Sequence, residues 1–285
     1  HLVQRGERPS YIVWTYHHLI LDGWSASLVL NDVLTLYAAL EAGETLTLPD
    51  TVPFKSYIRW LQAQDEVKAS RFWRERLDGF ASPTPLGLVE RVEHDALGEA
   101  YMTEVRLLGA ALGQRLQDFA KSRRLTVNTL LQGAWAYTLA IYSGNSDVVF
   151  GSTVSGRPTD LPASEGMVGM FINTLPCRII IDPSRSIIDW LGELQVQLIE
   201  LRQYEHSALT DIQGWSQVER GQSLFDSMLA VESFPYSQHV KQTQLTVAQQ
   251  TNYPLTLLVE PLGEYPFKAM YDARRFAPAT IERLL

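Results

Sequence analysis

The chain has one cysteine, Cys177, in 285 residues. No internal disulfide can form, which suits a reducing compartment and points to the cytoplasm. No apolar run approaches the roughly 18 residues of a membrane-spanning helix, and nothing resembles a signal peptide. Cations are in deficit, with 24 Lys and Arg against 32 Asp and Glu and a net charge of −8. Without a Lys/Arg stripe, a nucleic-acid footprint is excluded. Also missing are the Walker and Rossmann glycine patterns, so use of ATP or NAD has no support. The absence of Gly-x-Ser-x-Gly disfavours a covalent acyl-enzyme. Repeats of solenoid period and low-complexity runs do not occur. What remains is ordinary for a globular protein, with 46% hydrophobic and 20% charged residues. The length allows one large domain or two medium ones.

Against this background, the stretch Tyr16-His17-His18-Leu19-Ile20-Leu21-Asp22-Gly23-Trp24-Ser25 stands out. It follows an apolar run over residues 11–16, which reads as a strand covered on both faces. A helix is predicted over about 26–42, with Ser25 as N-cap and Gly43 as terminator. Val29, Val33, Leu36, Tyr37 and Leu40 fall at helical spacing and are expected to face a core. A strand, a turn with two histidines and an aspartate, and then a helix start make a good place for proton chemistry. Histidine exchanges protons near neutral pH, and the helix start aims free N–H groups at the loop. A metal is not expected, because His17, His18 and Asp22 need a further ligand and adjacent histidines rarely face one ion.

Further helices are predicted over about 54–61, 67–77, 109–121, from an N-cap at Thr126 to Gly144, over 186–203 and from 278 onward. Strands are predicted near 101–107, 147–154, 226–232, 244–249, 255–259 and 267–271, and around Cys177. Residues 78–100 are rich in Gly and Pro and supply the best boundary, near residue 90. The mixture gives an α/β (α+β) fold class.

The run HHLILDG matches HHxxxDG and resembles the condensation domains of nonribosomal peptide synthetases, within the chloramphenicol-acetyltransferase-like acyltransferases. Gly156-Arg157-Pro158 and Val168-Gly-Met-Phe-Ile-Asn173-Thr174 resemble the family's GRP and GxFxNT motifs. The resemblance spans nearly the whole chain. It implies two similar lobes forming a V, with residues 1–90 as the remainder of the first lobe and 91–285 as the second. It also implies a fragment of a larger enzyme, with more chain before His1 and a little beyond Leu285.

The implied activity is attack of a carrier-bound amine on a carrier-bound aminoacyl or peptidyl thioester. No intrinsic cofactor is implied, since substrates ride on 4′-phosphopantetheine arms of donor and acceptor peptidyl carrier domains, beside an adenylation domain. His18 is expected to accept or orient the amine proton, and His17 to support the loop. Asp22 is expected to be structural and salt-bridged to an arginine, Arg157 first and Arg178 second. Gly23 would offer its N–H to the thioester oxygen. Trp24, Ser25, Asn173 and Thr174 are placed on the substrate side, with packing the rival role for Trp24. An epimerisation domain shares HHxxxDG but needs a further acid/base that no matching motif supplies. A docking module of the same fold tends to lose the motif, which this chain keeps.

Overall fold

The computed structural model describes residues 2–5, 8–86, 101–235 and 251–285. Contacts gather the chain into two compact units. The first comprises residues 1–62, 157–172 and 234–246, and the second 63–156, 173–233 and 247–285. The boundary expected near residue 90 and the strand expected over 244–249 lie outside the described residues.

In the first unit, β1 (Leu2–Arg5) and β2 (Arg8–Ile12) form an antiparallel hairpin. The expected strand over 11–16 therefore ends at Ile12. Among the described residues β2 pairs only with β1, and Ile12, Val13 and Trp14 are exposed. An apolar run with partners on one edge does not become a twice-covered strand. Helix α1 (Gly23–Glu41) follows, then α2 (Lys55–Gln62).

Two features of α1 differ from expectation. Its N-cap is Asp22, not Ser25, because the carboxylate accepts the Ser25 N–H at 2.7 Å and starts the helix three residues early. Of its apolar stripe, Val33, Tyr37 and Leu40 are exposed, and its only buried residues are Ser25, Ala26 and Ser27. Helical spacing identifies an apolar face without supplying what covers it.

The second unit holds α3 (Glu66–Arg76), β3 (Tyr101–Leu107), α4 (Ala110–Arg123), α5 (Val127–Ser143), β4 (Asp147–Val154), β5 (Asn173–Ile180), α6 (Ile187–Arg202), α7 (Leu209–Trp215), β6 (Ser227–Val231), β7 (Leu255–Val259), β8 (Pro266–Asp272) and α8 (Pro278–Leu284). Capping explains several boundaries. Thr126 Oγ1 accepts the Thr129 N–H at 3.0 Å, Ser186 Oγ accepts that of Asp189 at 3.1 Å, and Gly144 ends α5 at φ 70°. Helix α7 is absent from the sequence expectations, being too short for periodicity to register.

One mixed sheet runs β3-β8-β7-β6-β4-β5, with β4–β6 and β6–β7 parallel and the other pairs antiparallel. One apolar cluster gathers Trp135 and Leu139 of α5, Leu191 and Leu194 of α6 and Ile281 of α8 with Phe150, Leu257 and Tyr271 of the sheet. A second joins Trp73 and Leu77 to Val149, Leu175, Ile212 and Phe225. Val148, Val149 and Phe150 are all buried, as in a central strand flanked by both clusters. Cys177 is buried on β5, and burial pushes its thiol up to about 12.

At the end of this sheet, Glu232 follows β6 and donates its N–H to the Val259 carbonyl at 2.9 Å. Register places Glu232 beside Glu260, with Lys268 on the adjoining β8. Burial, reinforced by Glu260 and opposed by Lys268, raises the Glu232 carboxyl from 4.5 to about 7. A folded carboxyl raised in this way holds its proton after the unfolded one has lost it. Its ionisation therefore subtracts stability as pH climbs from 4.5 to about 7. Glu232→Gln is expected to match the parent below pH 4.5 and to exceed it above pH 7, by roughly 3 kcal/mol. Denaturant titrations across that range check the divergence.

Candidate functional site

Chemistry-bearing side chains converge in the first unit on one turn. His17 Nδ1 accepts the Leu19 N–H at 3.1 Å, and the His17 carbonyl accepts the Ile20 N–H at 3.1 Å. These two bonds close residues 17–20 into a tight turn that leaves both histidines exposed. Among the described residues, the His18 ring makes no hydrogen bond. A group so placed is free to meet a substrate.

The chain then dives inward. Leu21 is buried and Asp22 is 2% exposed. A buried carboxylate is tolerated only when its lone pairs are met. Asp22 Oδ1 accepts the Ser25 N–H at 2.7 Å, while Oδ2 accepts the N–H groups of Phe171 at 2.9 Å and Ile172 at 3.3 Å. The Asp22 N–H donates to the Gly169 carbonyl at 3.3 Å. Arg157 Nη2 lies 3.5 Å from Oδ1, giving an ion pair with both side chains buried.

Arg157 does not fork onto the carboxylate. Nη1 donates to the carbonyls of Ser164 and Met167, and Nη2 donates to Ser25 Oγ at 2.8 Å. Its guanidinium carbon lies 4.0 Å from the centre of the Phe171 ring and 5.4 Å from that of Trp24. Phe171 belongs to an aromatic cluster with Phe54, Tyr57 and Trp60. Burial lowers the guanidinium pKa and the neighbouring Asp22 raises it. Gly169 is bare because Phe54 occupies the place of its side chain.

Ser25, expected on the substrate side, is wholly buried. Its hydroxyl donates to the Gly169 carbonyl at 2.7 Å and accepts from the Gly169 N–H at 3.0 Å and from Arg157. Trp24 is part-buried, and its indole N–H donates to the Glu165 carbonyl at 2.9 Å. Gly23 opens α1, so its N–H is one of the first-turn donors that lie beyond the intrahelical ladder.

The other expected residues lie in the second unit. Asn173 donates both side-chain N–H bonds to carbonyls, Glu205 at 2.9 Å and Ser207 at 2.7 Å, and its Oδ1 accepts the Thr174 N–H at 2.9 Å. Its amide is thus committed to a backbone turn rather than aimed at a substrate amide. The Thr174 hydroxyl lies 3.6 Å from Met228 Sδ. Glu205 Oε2 accepts the Gly156 N–H at 3.2 Å, and burial raises this carboxyl above its ordinary value. Arg178, the second choice for Asp22, binds Asp147 instead through Nε and Nη2 at 3.0 and 2.7 Å. The amides of Phe171 and Ile172 escape sequence reasoning, since backbone donors leave no mark in residue identity. Among the described residues, no cluster of His, Cys, Asp and Glu fit to hold a metal occurs. Nor is any described helix long and apolar enough to cross a membrane.

A family model for the condensation domain matches residues 1–285. One polypeptide of the linear gramicidin synthase of Brevibacillus parabrevis is 44% identical over 292 residues, covering 100% of this chain and 4% of that protein. A second polypeptide of the same synthase is 43% identical, covering 96% of this chain and 6% of its own length. The chain thus spans a small fraction of the curated relatives it matches. The first condensation domain of the calcium-dependent antibiotic synthetase shares the fold, with a TM-score of 0.76 at 15% identity over 94% of this chain and 61% of that one.

Asp22→Ala would leave three backbone N–H groups without their acceptor and the buried Arg157 guanidinium without its counter-charge. The expected cost is about 3–5 kcal/mol, that of breaking a buried pair from one side. Asp22→Asn keeps one carbonyl oxygen and is expected to lose less. Chemical denaturation of the two variants checks the order, and equal stabilities would contradict the clamp.

Proposed function

This chain belongs to the condensation-domain family, and from that membership we propose that it joins two carrier-bound acyl groups through an amide bond. The acceptor amine attacks the donor thioester carbon, so that a C–N bond forms and the C–S bond breaks. The amine proton leaves through His18 and reaches the departing pantetheine thiol. His18 either takes that proton outright or holds the amine by a hydrogen bond while charge develops. His17 supports the turn, and Asp22 with Arg157 holds its base without relaying charge. The Gly23 N–H faces the thioester oxygen as it gains negative charge.

One observation supports this reading most. His18 is exposed on a turn whose next buried polar residue, Asp22, accepts from three backbone N–H groups and pairs with Arg157. Such an arrangement fixes a proton-handling group without blocking it. A carboxylate spent on Ser25, Phe171, Ile172 and Arg157 is better suited to rigidity than to polarising imidazole.

The substrates are proposed to arrive on 4′-phosphopantetheine arms of donor and acceptor carrier domains, with an adenylation domain as neighbour and the cytoplasm as setting. No cofactor of the protein's own enters the chemistry. The Asn173 side-chain N–H groups, spent on the Glu205 and Ser207 carbonyls, make this residue a support of the backbone in this reading.

His18→Ala in the full-length protein is expected to slow formation of dipeptidyl thioester by on the order of 10²–10⁴-fold while carriers still dock. Two loaded carriers and a quench assay measure it. A variant that condenses at the parent rate would remove His18 from the mechanism. Loss of α-tritium without a new amide bond would replace the reading with epimerisation.

A further inference from the structure

Gly23 is not glycine for conformational reasons, since it starts α1 without a positive φ. A neighbour explains it better. A Cβ built on Gly23 would lie 2.5 Å from Cζ and 2.6 Å from Cε1 of Phe234, closer than side-chain carbons approach one another. The next residue is fixed as well, with the Pro235 carbonyl accepting from Asn31 Nδ2 at 2.9 Å. Phe234 and Pro235 are therefore laid along α1 at two points, the first at the residue that follows Asp22. All of these residues belong to the first unit.

We propose that Phe234 is a positioning residue for the condensation reaction, acting through Gly23. Its ring bears on the first turn of α1 and sets the direction of the Gly23 amide at the end of the motif. Phe234 is only part-buried and lies outside the aromatic cluster around Arg157. Its contact is with Gly23 in the first turn of α1, whose N–H is the proposed donor to the thioester oxygen, so its loss is felt in geometry before stability. Misplacing a reacting group by about 1 Å costs on the order of 10²-fold in rate. The assignment rests on the function proposed above.

The test is a double-mutant cycle in the full-length protein, using Gly23→Ala, Phe234→Ala and the pair, with Phe234→Leu as the conservative variant. Single-turnover condensation, carrier affinity and melting temperature are read for each. Phe234→Ala is expected to lower the condensation rate by about 10-fold or more with carrier affinity unchanged, and Phe234→Leu to recover most of it. Gly23→Ala is expected to be slower still, and the pair faster than Gly23→Ala alone, because removing the ring makes room for the methyl group. Phe234→Ala at the parent rate, or a pair no faster than Gly23→Ala, would overturn the assignment. So would rate losses that merely follow melting temperature across the four variants. A parent protein that forms no amide would instead overturn the proposed function, and the melting temperatures would still report whether Gly23 and Phe234 are coupled.

Discussion

A carboxylate removed from water must be given donors, and the local architecture of the first unit follows from meeting that demand at Asp22. Taking a charge into a poorly polarisable interior costs several kcal/mol unless hydrogen bonds and a counter-charge replace the lost solvation. Here the donors come from well-separated parts of the chain: the first turn of α1, the amides of Phe171 and Ile172, and Arg157. Segments that must all be present for one charge to be tolerated are thereby bound to one arrangement. Ser25 extends the constraint, since its hydroxyl bridges Gly169 and Arg157. The result is a rigid base beneath an exposed histidine turn, assembled from backbone groups more than from side chains.

Much of this is legible where the signals are local. Thr126, Ser186 and Gly144 mark helix ends because capping acts within a few residues, and the strand expected near 101–107 is found there. The start of α1 is read three residues late in sequence, because Ser25 is taken for the cap that Asp22 supplies. Only the tertiary donors at residues 171 and 172 let a carboxylate at this position be buried. The partnership of Asp22 with Arg157 comes from family resemblance, since nothing in spacing joins residues 22 and 157. The details still differ, with the fork spent on the Ser164 and Met167 carbonyls.

Other residues mislead for reasons of reach. Asn173 looks like a ligand group because an amide near a motif can bind anything polar, but its three hydrogen bonds all go to neighbouring backbone. The apolar stripe of α1 reads as core, yet Val33, Tyr37 and Leu40 are exposed. Periodicity describes one surface of a helix, whereas burial is a property of two surfaces. Gly23 carries the opposite problem: its sequence context speaks only of its backbone, and the ring of Phe234 that accounts for it lies some two hundred residues away in sequence.

The turn at residues 205–207 has a consequence of its own. It holds Gly156 through the Glu205 carboxylate, and Asn173 reaches back to the carbonyls of Glu205 and Ser207. Residues 157–172, which carry Arg157, Gly169 and the amides at 171 and 172, therefore leave and return at a single anchor. This is a non-covalent counterpart of a crosslink. Closing a covalent loop of comparable size costs about 3 kcal/mol of chain entropy, and the bonds to Gly156 and Asn173 hold the two ends of this one. Exchanged between homologous chains, residues 157–172 would behave as a cassette, transferable only together with the three-residue anchor that holds both of its ends.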